Sequence, residues 1–281
     1  MSDFRLKVFQ SVAKNLSFTK ASQELFVSQP AITKHIQELE ATYQTRLFDR
    51  QGSKISLTES GRLLLEHCER ILEDYKRLEY EMHLLHNEYI GELKLGASTT
   101  IAQYVLPPLL GSFIGKFPQV NLSLLNGNSR EIEAALQEHR IDLGLVEGVF
   151  RLPNLKYTTF LEDELVAVVH SKSRLQLPEE ITPQDLPAIP LVLRERGSGT
   201  LDVIERSLQK HGVKLSSLHV LMYLGSTESI KLFLENSDCM GIVSIRSICK
   251  ELAAGTFRVV EIKDMPMLRD FCFVQLQGQE D

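Results

Sequence analysis

Ser17-Phe18-Thr19-Lys20-Ala21-Ser22-Gln23-Glu24-Leu25-Phe26-Val27-Ser28-Gln29-Pro30-Ala31-Ile32-Thr33-Lys34-His35-Ile36-Gln37-Glu38-Leu39-Glu40 is the stretch that decides the N-terminal fold. Ser17 is a favoured N-cap, and Ala21 and Leu25 follow it at helical spacing. Phe26-Val27-Ser28-Gln29-Pro30 breaks the pattern and restarts it. Ser28 caps the next helix, and Pro30 lies in its first turn, where a missing N–H costs nothing. Val27 and Ile32 suit a hydrophobic staple across that entry. Ile32, Ile36 and Leu39 then share one face, and at about 100° per residue Thr33, Lys34 and Gln37 project from the other. Two helices joined by a short break, the second turning hydrogen-bonding side chains outward, have the geometry of a reader of the DNA major groove. Any small helical domain also exposes polar residues, so periodicity alone leaves both readings open.

Upstream, Leu6, Phe9 and Ala13 recur at helical spacing. Downstream, Asp49-Arg50-Gln51-Gly52-Ser53-Lys54 separates two short strand-like runs, and Arg50 and Lys54 suit a wing lying along a phosphate backbone. Residues 1–58 hold eight Lys/Arg and five acids, a net +3, although the whole chain carries −6 and the remainder therefore −9. A basic head on an acidic body fits a nucleic-acid module joined to something else. From Thr58 a long helix is expected. Leu64, Cys68, Ile71, Tyr75, Leu78, Met82, Leu85 and Tyr89 follow at spacings of 4, 3, 4, 3, 4, 3 and 4. That heptad stripe predicts a coiled-coil seam and a partner helix; packing on its own domain is the alternative.

The 281 residues leave room for two or three domains. Apolar stretches such as Val105–Leu110 fall short of the ~20 residues that span a bilayer, and MSDFRLKVFQ offers no signal-peptide core. Four cysteines without a C-x-x-C pair suit a reducing compartment, so a cytoplasmic address is expected. After Gly91, strand candidates (Leu93–Ala97, Val120–Leu125, Asp142–Val146, Leu165–His170, Leu191–Leu193, Val220–Leu224, Gly241–Val243, Cys272–Leu276) alternate with helical patterns. The latter are Ala102–Phe117, Arg130–His139, Leu201–Gln209, Ser229–Glu235 and Arg246–Ala254. This order predicts βαβ units and a mostly parallel sheet, with the segment around Lys156–His170 crossing between lobes.

On residues 17–40, Leu47-Phe48-Asp49-Arg50 and Leu57-Thr58-Glu59-Ser60-Gly61, the chain resembles the LysR-type transcriptional regulators. It departs from them at Leu16 and Gln44, where the family tends to have Gly, and at Ser22, where it has Ala. The resemblance implies an α/β protein with a winged helix-turn-helix head (1–58), a linker and dimerisation helix (59–90) and a two-lobed effector domain like the periplasmic binding proteins (91–281). Lobe one would cover 91–161 plus 265–281, and lobe two 162–264. It implies a homodimer or dimer of dimers on double-stranded DNA, away from membranes. Thr19, Ser28, Gln29, Pro30, Thr33, Lys34 and Gln37 would be the DNA contacts, with Arg50 and Lys54 on phosphates. Leu145-Val146-Glu147-Gly148 and Leu193-Arg194-Glu195 look like members that control sulfur assimilation and sense oxyanions.

Three hydroxyl-rich strand ends feed helices: Ala97-Ser98-Thr99-Thr100, Arg194-Glu195-Arg196-Gly197-Ser198-Gly199-Thr200 and Gly225-Ser226-Thr227-Glu228. Ligands gather at such ends, where free N–H groups suit an anion. Helix capping alone explains each hydroxyl singly. A small anion or carboxylate is therefore expected between Ser98, Thr99 and Thr100 on one side and Thr200 and Thr227 on the other. Arg194 would supply a bidentate contact, and Glu147 would accept hydrogen bonds from the opposite lobe. No metal or cofactor is expected. Gly197–Thr200 lacks the Lys of a nucleotide-binding loop, and neither G-x-S-x-G nor H-E-x-x-H occurs. His83 and His86 have no evident third ligand. Cys239 and Cys249 are spaced as in peroxide-sensing relatives but read better as packing residues. A solute-binding protein or enzyme with assembly helices is the competing function; the motif run at 17–40 favours the regulator.

Overall fold

The computed structural model describes residues 4–51, 54–85 and 89–278; the side chains of Arg50, Gln51, Lys54, Tyr80, His83 and Leu84 fall outside that description. The chain separates into two compact units, 1–90 and 91–281.

In the first unit, α1 (Phe4–Asn15), α2 (Phe18–Glu24) and α3 (Gln29–Tyr43) surround a core of Phe9, Val12, Phe18, Ala21, Ile32, Ile36, Leu39 and Phe48. Ser17 caps α2 by accepting from the Lys20 N–H at 3.2 Å, and Ser28 caps α3 by accepting from the Ala31 N–H. β1 (Phe48–Gln51) and β2 (Lys54–Leu57) pair antiparallel as the wing. α4 (Glu59–Leu84) follows, and the Thr58 hydroxyl accepts from Gly61 N–H at its start. The heptad stripe divides along this helix. Leu64, Cys68 and Leu72 pack into the head's core, and the Cys68 thiol donates to Leu6 O. Cys68 is therefore core rather than seam. Burial pushes its thiol up to about 12. Beyond it Ile71, Leu78, Met82 and Leu85 are exposed and Tyr75 is half-buried.

The second unit is built on one ten-stranded mixed sheet. β3 (Gly91–Ser98) lies parallel to both β4 (Val120–Gly127) and β5 (Leu143–Glu147), with α7 (Ser129–Gln137) covering them. β8 (Leu191–Arg194) lies parallel to β9 (Val220–Leu224) and β10 (Met240–Ser244). α8 (Gly199–Lys210) and α9 (Thr227–Glu235) pack on these strands. Two long antiparallel strands, β6 (Leu155–His170) and β12 (Met267–Leu276), join the halves. The sheet is thus not mostly parallel: β12 also pairs antiparallel with β5, and β10 with β6. A short β7 (Glu180–Ile181) and β11 (Phe257–Ile262) extend β6.

Each half has its own core. Phe160, Leu161, Phe271, Phe273 and Val274 face the first; Leu165, Val169, Met265 and Met267 face the second. The crossings therefore fall at 162–164 and 268–270. The return crossing lies beyond the expected boundary at 264/265, because Met265 and Met267 still bury their side chains in lobe two. The expected helix over Ala102–Phe117 is split into α5 (Thr99–Tyr104) and α6 (Leu106–Lys116). Pro107 and Pro108 have no N–H to continue a helix, but both fit a first turn. The Arg246–Ala254 pattern forms a 3-10 turn at Ile245–Ser247 followed by α10 (Cys249–Ala253). Cys249 opens α10 exposed rather than packed inside. Exposed apolar side chains remain at Leu109 and Ile114 on α6 and at Leu221 and Tyr223 on the edge strand β9.

Candidate functional site

On the head, the Thr19, Ser28, Gln29, Pro30, Lys34 and Gln37 side chains are exposed on α2 and α3. Thr33 is half-buried and its hydroxyl donates to Gln29 O at 3.1 Å, so its oxygen remains to accept. Arg50 and Lys54 lie on the wing strands, and their side chains, like those of His83 and His86, lie outside the described residues.

In the second unit the three strand ends meet a buried polar cluster where the lobes abut. Ser98, Thr99, Thr100, Glu147, Arg194, Thr200, Thr227 and Arg269 are all buried. Arg194 closes β8. Its Nε donates to Glu195 Oε2 at 2.9 Å, and its Nη2 donates to Thr99 Oγ1 at 3.3 Å and to Gly225 O at 3.2 Å. One guanidinium thus ties the first strand end to the other two. Thr227 lies buried in the first turn of α9, but it is the Gly225 carbonyl that reaches Arg194.

Arg269, on the return crossing and outside the expected site residues, holds the second half of the cluster. Its Nε and Nη2 meet Asp163 Oδ2 at 2.8 and 2.7 Å, and its Nη1 donates to Thr200 Oγ1 at 2.9 Å. Nη2 also donates to Thr100 Oγ1 at 3.4 Å, and Nη1 stands 3.5 Å from Glu147 Oε1. The Thr100 hydroxyl donates to the same Glu147 oxygen at 3.3 Å. The Glu147 carboxylate therefore takes its hydrogen bond from its own lobe's Thr100 and its ion pair from Arg269 on the crossing strand, not from the opposite lobe. Burial raises its carboxyl above the ordinary range, with Arg269 and Arg194 opposing that shift. Asp163 also accepts from Ser244 Oγ at 2.7 Å.

The lobes approach closely here. A Cβ on Gly199 would stand 2.0 Å from Glu147 O, so only glycine fits where α8 begins. Three buried polar atoms of the cluster have no hydrogen-bond partner in the chain: Ser98 Oγ, Arg194 Nη1 and Glu147 Oε2. Beside it a cavity of about 350 Å³ is lined by Ser129, Arg130, Glu133, Glu147, Gly148 and Asp202 among others. Among the described residues no cluster of His, Cys, Asp and Glu could hold a metal ion, and no helix is long and apolar enough to cross a membrane.

Residues 4–62 match the bacterial regulatory helix-turn-helix protein, lysR family, and residues 86–281 match the LysR substrate binding domain. The chain is 34% identical over 258 residues to the uncharacterized HTH-type transcriptional regulator YeiE of Escherichia coli K12, covering 92% of this chain and 85% of that one. It resembles the solved CbnR bound to its target DNA (TM-score 0.63, 23% identity, 99% of this chain and 94% of that one). The regulatory domain of Synechocystis PCC6803 CcmR in complex with 2-PG matches with a TM-score of 0.60 and 28% identity, over 68% of this chain and 89% of that one. The head motif, the two-lobed sheet and these matches agree: the chain belongs to the LysR family of transcriptional regulators, with a DNA-binding helix-turn-helix and an effector-binding domain.

Proposed function

We propose that a small polar effector carrying an oxyanion binds between the lobes at Ser98, Thr99, Thr100, Arg194 and Thr200, with Arg269 as a further member of the site. The observation that carries this reading is the pair of unpartnered donors, Ser98 Oγ and Arg194 Nη1, buried at the lobe junction. Leaving such donors unmade is costly, and an anionic oxygen satisfies both. A relative's domain with 2-PG bound supports a ligand of this type. The effector shifts the lobe arrangement by as much as its affinity differs between arrangements, ~1–3 kcal/mol. The head reads a dyad DNA site through Gln29, Thr33, Lys34 and Gln37, with Thr19, Ser28 and Pro30 at its border and Arg50 and Lys54 on phosphates. The protein acts as a homodimer or dimer of dimers, not as an enzyme, in the cytoplasm where the DNA is. The exposed stripe from Ile71 to Leu85 supplies the seam, and the exposed apolar residues of α6 and β9 supply further surface.

Anisotropy titration with DNA from upstream of the chain's own gene tests the head. Gln37→Ala should cost ~1–3 kcal/mol on that DNA and little on random DNA, whereas Lys54→Ala should weaken both alike. A uniform loss for Gln37→Ala would move it to the backbone. A thermal-shift screen of metabolites tests the cleft: Ser98→Ala and Arg194→Met should weaken any hit, and unchanged affinity would place the site elsewhere.

A further inference from the structure

The buried charges of the cluster already balance. Arg194 and Arg269 are matched by Glu147 and Asp163, all buried. At the rim Glu195 sits on Arg194, and Arg246 stands 3.5 Å from Asp163. The neighbouring group adds no positive surplus: the Lys231 ammonium meets both Glu228 and Glu251, and the Tyr104 hydroxyl donates to Glu228. A plain anion at Arg194 would leave an uncompensated negative charge in a site shielded from water, which is strongly unfavourable. An acceptor is also waiting. Glu147 Oε2 is buried without a donor, in the same cluster that holds the unpartnered Arg194 Nη1 and Ser98 Oγ. The cavity that Glu147 helps line carries two more carboxylates, Glu133 and Asp202, against the single Arg130.

We infer that the effector is a small zwitterion of amino-acid type, its oxyanion on Arg194 Nη1 and Ser98 Oγ and its ammonium on Glu147 Oε2. This rests on the reading of the lobe junction as the effector site. A zwitterion satisfies all three unpartnered atoms and adds no net charge. Arg194, held by Glu195, Thr99 and Gly225, selects the anionic end. Glu147, fixed through its other oxygen by Thr100 and Arg269, selects the cationic end. Burial raises the Glu147 carboxyl, which sets out the rival: a plain anion that binds by taking up a proton there.

Calorimetry on the full chain separates the two, using the twenty protein amino acids, their 2-deamino carboxylates, sulfate and phosphate as probes in two buffers of different ionisation enthalpy. We expect at least one amino acid to bind tenfold or more tighter than its deamino counterpart, with heat independent of buffer. Glu147→Gln should erase that preference and admit the deamino acid. Three results overturn the zwitterion: a plain anion that binds as tightly as its amino counterpart, about one proton taken up per ligand, or silence from every amino acid. If the winning anion still depends on Ser98→Ala and Arg194→Met, the site reading stands and only the ligand class falls. If a zwitterion binds and those two changes leave it unaltered, the site reading itself falls.

Discussion

Leu16 and Gln44 hold left-handed backbone, with φ of 44° and 51°, at the two positions where the family resemblance expects Gly. A side chain there costs about 1–2 kcal/mol, partly offset because Gly also loosens the unfolded chain. Both side chains are exposed, so Leu16→Gly and Gln44→Gly should each stabilise the head by ~0.5–1 kcal/mol. Its Tm should rise by roughly 3–6 °C in a calorimetric scan; a fall would mean that side-chain packing outweighs the backbone. The same scale governs Glu147. Its folded carboxyl is raised by burial from an unfolded value of 4.5. Its contribution is thus fully present below pH 4.5 and fades as pH climbs through the raised value. Denaturant unfolding across that window should show stability falling more steeply for the native chain than for Glu147→Gln. Parallel curves would mean the carboxyl titrates normally.

At the scale of elements, α4 serves two surfaces in turn. Leu64, Cys68 and Leu72 face the head's core, while Leu78 is 52% exposed and Met82 53%. Leu78→Asp should therefore leave a folded head but abolish the dimer, removing about 1.5–3 kcal/mol of burial per chain. Cys68→Asp should unfold the head instead, because it buries an unpaired charge. Light scattering beside circular dichroism distinguishes the outcomes, and an intact Leu78→Asp dimer would place the seam elsewhere. Phe257–Ile262 is rich in β-branched and aromatic residues and forms β11, outside the strands expected from the sequence. The helix break at Val105 was equally readable from Pro107-Pro108.

For the whole molecule, the joint between the lobes is an ion pair on its crossing strands. Arg269 and Asp163 face each other in the β6–β12 register, and Arg269 reaches Thr100 on one lobe and Thr200 on the other. Arg269→Ala would strip Glu147 and Asp163 of the buried ion-pair partner they share. It should cost about 3–5 kcal/mol and lower the Tm of the effector domain by on the order of 10 °C. A loss under about 1 kcal/mol would make the pair peripheral to the joint.

The sequence by itself determined the helix-turn-helix, its capping serines, most sheet strands and the hydroxyl-rich strand ends, because each is written in neighbouring residues through periodicity and cap chemistry. Even Arg269 left a trace. It shares a strand face with Met267 and Phe271, as Asp163 does with Leu161 and Leu165, and a charge on an apolar face marks a buried partner. Which partner was beyond reach. Thr100 and Arg269 are 169 residues apart, and only the antiparallel crossing of β6 and β12 brings Asp163, Glu147, Thr100 and Thr200 around one guanidinium. Tertiary structure likewise ended the heptad stripe's exposure below Ile71, since period alone does not say which surface a helix meets. It also decided the cluster's charge balance, because neutrality within a buried site is a property of residues gathered in space, not of any stretch of chain.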